Sequence, residues 1–140
     1  VTRWSVRGNW GGVHLRDLFD EVGLKSEATH VQFFSYRKIY TTCIPLEVAL
    51  RERTLLAYEF EGEPLEEDYG GPVRVFCPYL WGYKSAKSVI RIALTDHSIP
   101  GYWEVRGYPD AAQIRAGRVF DVNTRKSRRI PDGEVITFLD

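Results

Sequence analysis

The sequence predicts one strand-rich α+β domain with short helices. Repeated runs of β-branched and aromatic residues lie between Gly, Pro and polar clusters, only two stretches carry helical spacing, and 140 residues suit one core rather than two. Val1-Thr2-Arg3-Trp4-Ser5 opens directly as a strand and the chain contains no methionine, so it reads as a fragment or processed chain with further residues expected before Val1. In WGGVHLRDLFDEVG (residues 10–23), Gly11-Gly12 predicts a turn. Leu15, Leu18, Phe19 and Val22 then share one face, which predicts a short amphipathic helix ending at Gly23.

Residues 30–34 (HVQFF) and 39–44 (IYTTCI) predict a hairpin turning at Arg37-Lys38. Pro45 opens a second helix through Glu47, Val48, Ala49 and Leu50, and residues 55–60 (LLAYEF) form a strand that stops at a turn around Gly62. The acid-, Gly- and Pro-rich residues 61–72 are a surface loop. Strands are expected again at 73–77 (VRVFC) and 88–94 (SVIRIAL). The tail is expected to close as a hairpin pairing Arg118–Val122 with Glu134–Leu139 across a polar turn.

Composition narrows the function classes. The 19 Lys and Arg balance 19 Asp and Glu, so formal net charge is zero; a dedicated polyanion binder needs clustered positive charge, and no nucleic-acid partner is expected. No apolar run approaches the roughly 18 residues that span a bilayer, so no membrane span is expected. The absence of a targeting segment points to a cytoplasmic chain, with periplasmic location or export through a removed signal as the other option. Cys43 and Cys77 are too few for a disulfide framework and read as small buried hydrophobes in strands.

The stretch with chemistry is residues 70–87, GGPVRVFCPYLWGYKSAK. Arg74 leaves a strand beside glycines, and Lys84 and Lys87 sit three apart after Gly82-Tyr83. With the Ser85 hydroxyl these groups make a small cradle for a phosphate-like anion. On composition alone the stronger reading is that Lys84 and Lys87, on a surface turn, are ordinary solvated charges, with the cradle as the alternative. Elsewhere the signals are weaker. His14, His30 and His97 fall on different elements without metal-ligand spacing, and neither a G-x-S-x-G elbow nor a P-loop is present. Glu66-Glu67-Asp68 read as solvated acids. Arg125, Lys126, Arg128 and Arg129 read as a solvated hairpin tip or a contact for an acidic partner, and Tyr102, Trp103 and Tyr108 read as packing.

The order of motifs adds more than any one of them. VTRWS, WGGV with a short helix, YTTCIPL, LLAYEFEGEPL, GGPVRV, PYLWGYKSAK and GYWEVRGY together resemble the molybdopterin-binding domain of the sulfite oxidase superfamily, over residues 1 to about 108. The resemblance is to the sulfite-oxidase-like oxidoreductases. It implies a mixed-sheet molybdopterin-binding fold and a Mo-molybdopterin cofactor whose dithiolene holds one molybdenum. It also implies oxygen-atom transfer involving a small oxyanion or sulfoxide-type substrate, and a separate electron carrier. It carries cofactor-binding roles to Ser35, Arg74, Gly82, Tyr83, Lys84, Ser85 and Lys87, and favours the cradle over the solvated reading.

The same resemblance places a metal-ligating cysteine immediately before the segment matching Val1–Ser5, one residue ahead of this sequence. No residue here is therefore assigned to the metal, and Cys43 and Cys77, which lie on other segments, are not promoted to that role. Arg3, beside that position, is the catalytic candidate: it either attracts an oxyanion substrate or forms a surface salt bridge. Tyr69 stands where His or Asn is common. These departures keep a second expectation open, a non-catalytic domain of the same fold with a structural or interaction role. Whether the chain is itself an enzyme turns on that missing cysteine. Residues 109–140 are an unplaced C-terminal extension of a single domain covering 1–140.

Overall fold

The computed structural model describes residues 4–5, 8–121 and 124–130. In chain order its elements are β1 (Trp4–Ser5), β2 (Trp10–His14), α1 (Leu15–Val22), β3 (His30–Ser35), β4 (Thr41–Pro45), α2 (Leu46–Ala49), β5 (Leu55–Phe60), β6 (Glu63–Pro64), β7 (Arg74–Phe76), β8 (Val89–Thr95), β9 (Gly117–Asp121) and β10 (Lys126–Ile130). Three small sheets result, ordered β1-β9-β10, β2-β5-β6 with β7 also on β5, and β4-β3-β8. The β1–β9 pair is parallel and the other pairs are antiparallel, so the domain is mixed-sheet and strand-rich, as expected.

The apolar runs become strands because each finds a neighbour that buries it. β3 lies between β4 and β8, and Val31 and Phe33 are fully buried with Ile44, Leu15 and Val75 in the main core. Burying each such side chain contributes about 1.5–3 kcal/mol, which offsets the entropy of ordering these strands. The predicted helix forms as α1, burying Leu15 and Phe19. It ends where Gly23, at φ 78°, donates its N–H to the Phe19 carbonyl at 2.9 Å.

Two expectations are corrected. Gly11-Gly12 is not a turn but part of β2, which bulges between the two glycines against β5. A Cβ at Gly12 would sit 2.4 Å from the Leu56 carbonyl oxygen, so glycine is there to let two backbones touch rather than to reverse the chain. In the tail, the partner of β9 is β10, Lys126–Ile130, and residues 134–139 lie outside the described residues. Arg125, Lys126, Arg128 and Arg129 therefore run from the turn along a strand rather than capping a tip. Arg128 Nε lies 3.5 Å from Asp121 Oδ2, and Arg129 faces Arg118 across the pair.

The stretch after residue 108 is tied to the rest of the domain. Ala112 joins the main core, the Trp81 N–H donates to the Ala112 carbonyl at 2.8 Å, and Ile114 and Val119 pack on Trp81. No helix among the described residues is long and apolar enough to cross a membrane.

Candidate functional site

Three chain reversals meet beside the end of β3. The strand stops at Ser35, whose N–H is taken by the Tyr40 carbonyl, and the next N–H, of Tyr36, goes to the Ser88 carbonyl. β7 then delivers Arg74, and a 3-10 turn at Gly82–Lys84 follows Trp81. Between them opens a cavity of about 840 Å³, within the size range of small-molecule and cofactor sites. Six of the seven residues expected to bind cofactor line it: Ser35, Arg74, Gly82, Tyr83, Ser85 and Lys87. They come from positions up to 52 residues apart (35 to 87), so the fold and not the local sequence assembles them.

Each group has defined chemistry. The Arg74 guanidinium donates through Nη1 to the Tyr69 carbonyl at 2.8 Å and lies over the Trp10 ring, 5.3 Å from its centroid. Burial pushes its pKa down from the ordinary arginine value, yet guanidinium stays charged at any physiological pH. Lys87 is exposed and donates to the Asp68 carbonyl at 2.7 Å, leaving two of its three N–H donors for other partners. Ser85 Oγ accepts the Cys77 N–H at 3.1 Å, which leaves its own proton to give.

Ser35 is 7% exposed, and its Oγ is buried with no hydrogen-bond partner among the described residues. A hydroxyl in that state forfeits about 1–3 kcal/mol unless a ligand satisfies it. Two cations, an orphaned hydroxyl and a second hydroxyl converging on one cavity fit a phosphate-bearing polar cofactor.

Lys84 does not line the cavity. The expected surface turn is half right: Lys87 is on the outside, whereas Lys84 is 0% exposed. Its Nζ lies 2.6 Å from Glu104 Oε1 and 3.0 Å from Asp110 Oδ1, and donates to the Cys43 carbonyl at 2.9 Å. Those three partners take up its three donors.

Other residues of the site were missed by sequence reasoning. Trp81, Trp103, Tyr40 and Tyr108 form aromatic walls, and Ser88 is also on the lining. Trp103 and Tyr108 pack, as the sequence predicts, with rings 4.9 Å apart and Tyr108 edge-on to Tyr83 at 5.2 Å, and they line the cavity as well. Their density in GYWEVRGY was the available signal. The Tyr40 hydroxyl donates to the Tyr83 carbonyl. Burial, with Glu104 nearby, raises the Tyr40 pKa well above 10 and the Tyr83 pKa to about 12, so both remain protonated donors.

Beyond Arg74, Trp81, Gly82 and Ser85 the cleft continues as a second space of about 650 Å³, walled by Trp10, Phe60, Phe76 and Val119 with Glu63 and Glu66 at its margin. Trp10 stacks on Phe76, centroids 4.8 Å apart. Tyr69 lines this second space rather than the first, and its carbonyl, not its ring, meets Arg74. Cys43 and Cys77 are free and buried, and burial pushes both thiols up, consistent with the packing reading. No group of three or more His, Cys, Asp or Glu able to hold a metal occurs among the described residues. Arg3 lies outside the described residues.

A family model described as the oxidoreductase molybdopterin binding domain matches residues 2–103. The chain is 41% identical over 109 residues to the uncharacterized oxidoreductase YuiH of Bacillus subtilis, covering 77% of this chain and 54% of that protein. It is 32% identical to the protein-methionine-sulfoxide reductase catalytic subunit MsrP of Gluconobacter oxydans (74% and 38% covered). It is 33% identical to the mitochondrial sulfite oxidase of Drosophila melanogaster (71% and 19% covered). Among solved structures, the sulfane dehydrogenase SoxCD from Paracoccus pantotrophus superposes with a TM-score of 0.61 at 26% identity, over 66% of this chain and 24% of that one. The chain thus spans about half the length of YuiH and less of the other relatives.

Proposed function

The chain belongs to the oxidoreductase molybdopterin-binding domain family, of the sulfite-oxidase-like kind, and on that premise we propose that it forms the cofactor-binding core of an enzyme transferring oxygen atoms at molybdenum. One observation carries the reading: Ser35, Arg74, Gly82, Tyr83, Ser85 and Lys87 line one cavity in which the Ser35 hydroxyl lacks a partner.

In this reading Arg74 and Lys87 neutralise the phosphate of the pterin, Arg74 with a planar fork held in place by the Tyr69 carbonyl and Lys87 as a point charge at the rim. Ser35 and Ser85 donate hydroxyl protons to its polar atoms. Trp81, Trp103 and Tyr108, which line the cavity, would keep water from the bound group. The bound cofactor supplies two-electron oxygen-atom transfer at its metal. Arg3 is proposed, from the sequence, to attract an oxyanion or sulfoxide-type substrate, and a separate carrier to exchange the electrons.

The test is pterin content, by oxidative release and fluorescence, of the chain purified from a host that makes molybdopterin. A stoichiometric signal that disappears in Arg74→Ala supports the reading. No pterin in the wild-type chain overturns it and leaves a domain that keeps the fold for structural or interaction purposes.

A further inference from the structure

One wall of the cavity is a strap outside the sheets. After β8 the chain crosses Pro100 and runs from Gly101 to Asp110 as an aromatic strap, with a single 3-10 turn at Glu104–Arg106. Trp103 and Tyr108 on this strap face the cavity lining contributed by Tyr83 and Ser85 on the Gly82–Lys84 turn and just after it. The strap touches β4 at its start: a Cβ at Gly101 would lie 2.1 Å from the Thr41 carbonyl oxygen, and that carbonyl accepts the Tyr102 N–H at 2.8 Å. Val105 and Tyr108 are exposed. A segment with so few ladder bonds and an open outer side belongs to the low-stability end of a fold unless something fastens it.

Tyr83 ties it to the Gly82–Lys84 turn by donating its hydroxyl to the Pro109 carbonyl at 2.5 Å, and charge ties it again. Lys84, from the opposite wall, reaches Glu104 Oε1 near the strap's middle and Asp110 Oδ1 at its end. Thr42 Oγ1 donates to the same Glu104 oxygen at 3.0 Å, and Ser98 Oγ to Asp110 Oδ2 at 2.7 Å. The Glu104 side chain is 3% exposed and its Oε2 has no partner among the described residues, and the Lys84 ammonium, 2.6 Å from Oε1, is its counter-charge. Burying such a set is costly unless geometry is good, and stability alone is better served by apolar packing. We infer that Lys84 is a positioning residue: its ammonium latches the Gly101–Asp110 strap to the Gly82–Lys84 turn and so sets the separation of the two cavity walls that carry Trp103, Tyr108 and Ser85. The latch stands on geometry alone, and the proposed cofactor enters only in naming what the cavity holds.

Hydrogen exchange by mass spectrometry on the full chain tests it. In Lys84→Met/Glu104→Gln, which removes the ammonium without stranding the buried carboxylate, peptides covering 101–110 should exchange about tenfold faster while peptides from β3 and β8 keep their protection. The half-exposed Asp110 remains solvated in that variant. Pterin should also leave this variant several-fold faster on dialysis. In Lys87→Ala, pterin loss should quicken with strap exchange unchanged, which separates positioning from direct contact. Strap exchange equal to wild type, or rising only in step with β3 and β8, overturns the latch. Should the double variant not fold, Asp110→Asn cuts one exposed arm and should loosen the strap alone, to a smaller degree; an unaltered strap there overturns the latch as well. A wild-type chain without pterin would refute the proposed function while leaving the exchange result valid.

Discussion

Arg74 is aimed by the backbone of Tyr69: its Nη1 donates to the Tyr69 carbonyl at 2.8 Å, while Tyr69 borders the neighbouring space and is 62% exposed. The identity of residue 69 is therefore uncoupled from the guanidinium. Tyr69→His should leave stability within about 0.5 kcal/mol, and Arg74 should keep its place. Arg74→Ala should cut pterin retention by about tenfold or more, since hydrogen bonds to charged groups are the strong ones. Arg74→Lys should fall between, because a point charge does not reproduce the fork. Pterin content and urea midpoints of the three variants check this, and a Tyr69→His loss as large as that of Arg74→Ala would contradict it.

Lys84 and Lys87 should separate by stability. Lys84→Met leaves Glu104 buried without its counter-charge, which costs about 3–5 kcal/mol, and Glu104→Gln on top should recover much of that. Lys87→Ala touches an exposed side chain bonded to one carbonyl and should shift stability by less than about 0.5 kcal/mol. Urea unfolding with unchanged m-values is the measurement. Equal destabilisation by the two alanine- or methionine-type changes would mean that Lys84 is not paired as described.

Both lysines look alike in GYKSAK, and this marks the limit of what the sequence discloses. Turn residues and apolar runs announced α1, β3, β5, β7 and β8, because local propensity and burial agree there. Gly11-Gly12 signals a turn by propensity, but its reason for being glycine is the Leu56 carbonyl across the sheet, a long-range contact with no local trace. In the same way, the burial of Lys84 depends on Glu104 and Asp110, some 20 to 26 positions away (104 − 84 and 110 − 84). Of the seven cofactor candidates that the family resemblance names, six converge on one cavity. Trp103 and Tyr108 were not among those candidates, since an aromatic that packs and one that lines a cavity read identically.

Asp110 makes the strap sensitive to acid. Burial pushes its carboxyl up, but the Ser98 hydroxyl and the Lys84 ammonium outweigh that and hold it below the usual 3.8. A carboxyl depressed in the folded state binds protons more readily once released, so its contribution is present above about pH 3.8 and is lost as pH falls through the lower folded value. Strap exchange, corrected for intrinsic rates, should therefore quicken below pH 4 in wild type, and that acid limb should flatten in Asp110→Asn. Asp96, held low by its hydrogen bond to His97, titrates in the same window, so Asp96→Asn is the control and should leave the strap's limb in place.

Cys43 and Cys77 supply a probe of opening that needs no cofactor. Cys43 is 1% exposed in β4 and Cys77 3% exposed just past β7, and burial raises both thiols, so neither offers thiolate to a reagent at neutral pH. Alkylation of either in the native chain should be at least about a hundredfold slower than in urea, because it waits for an opening of the fold. The two differ in which opening they report. Cys43 presents its carbonyl to Lys84 beneath the strap, whereas Cys77 borders the second space on the Trp10 side. Lys84→Met/Glu104→Gln should consequently speed alkylation of Cys43 more than that of Cys77, read site by site after digestion. Equal acceleration at both would mean that the variant loosens the whole domain rather than the strap.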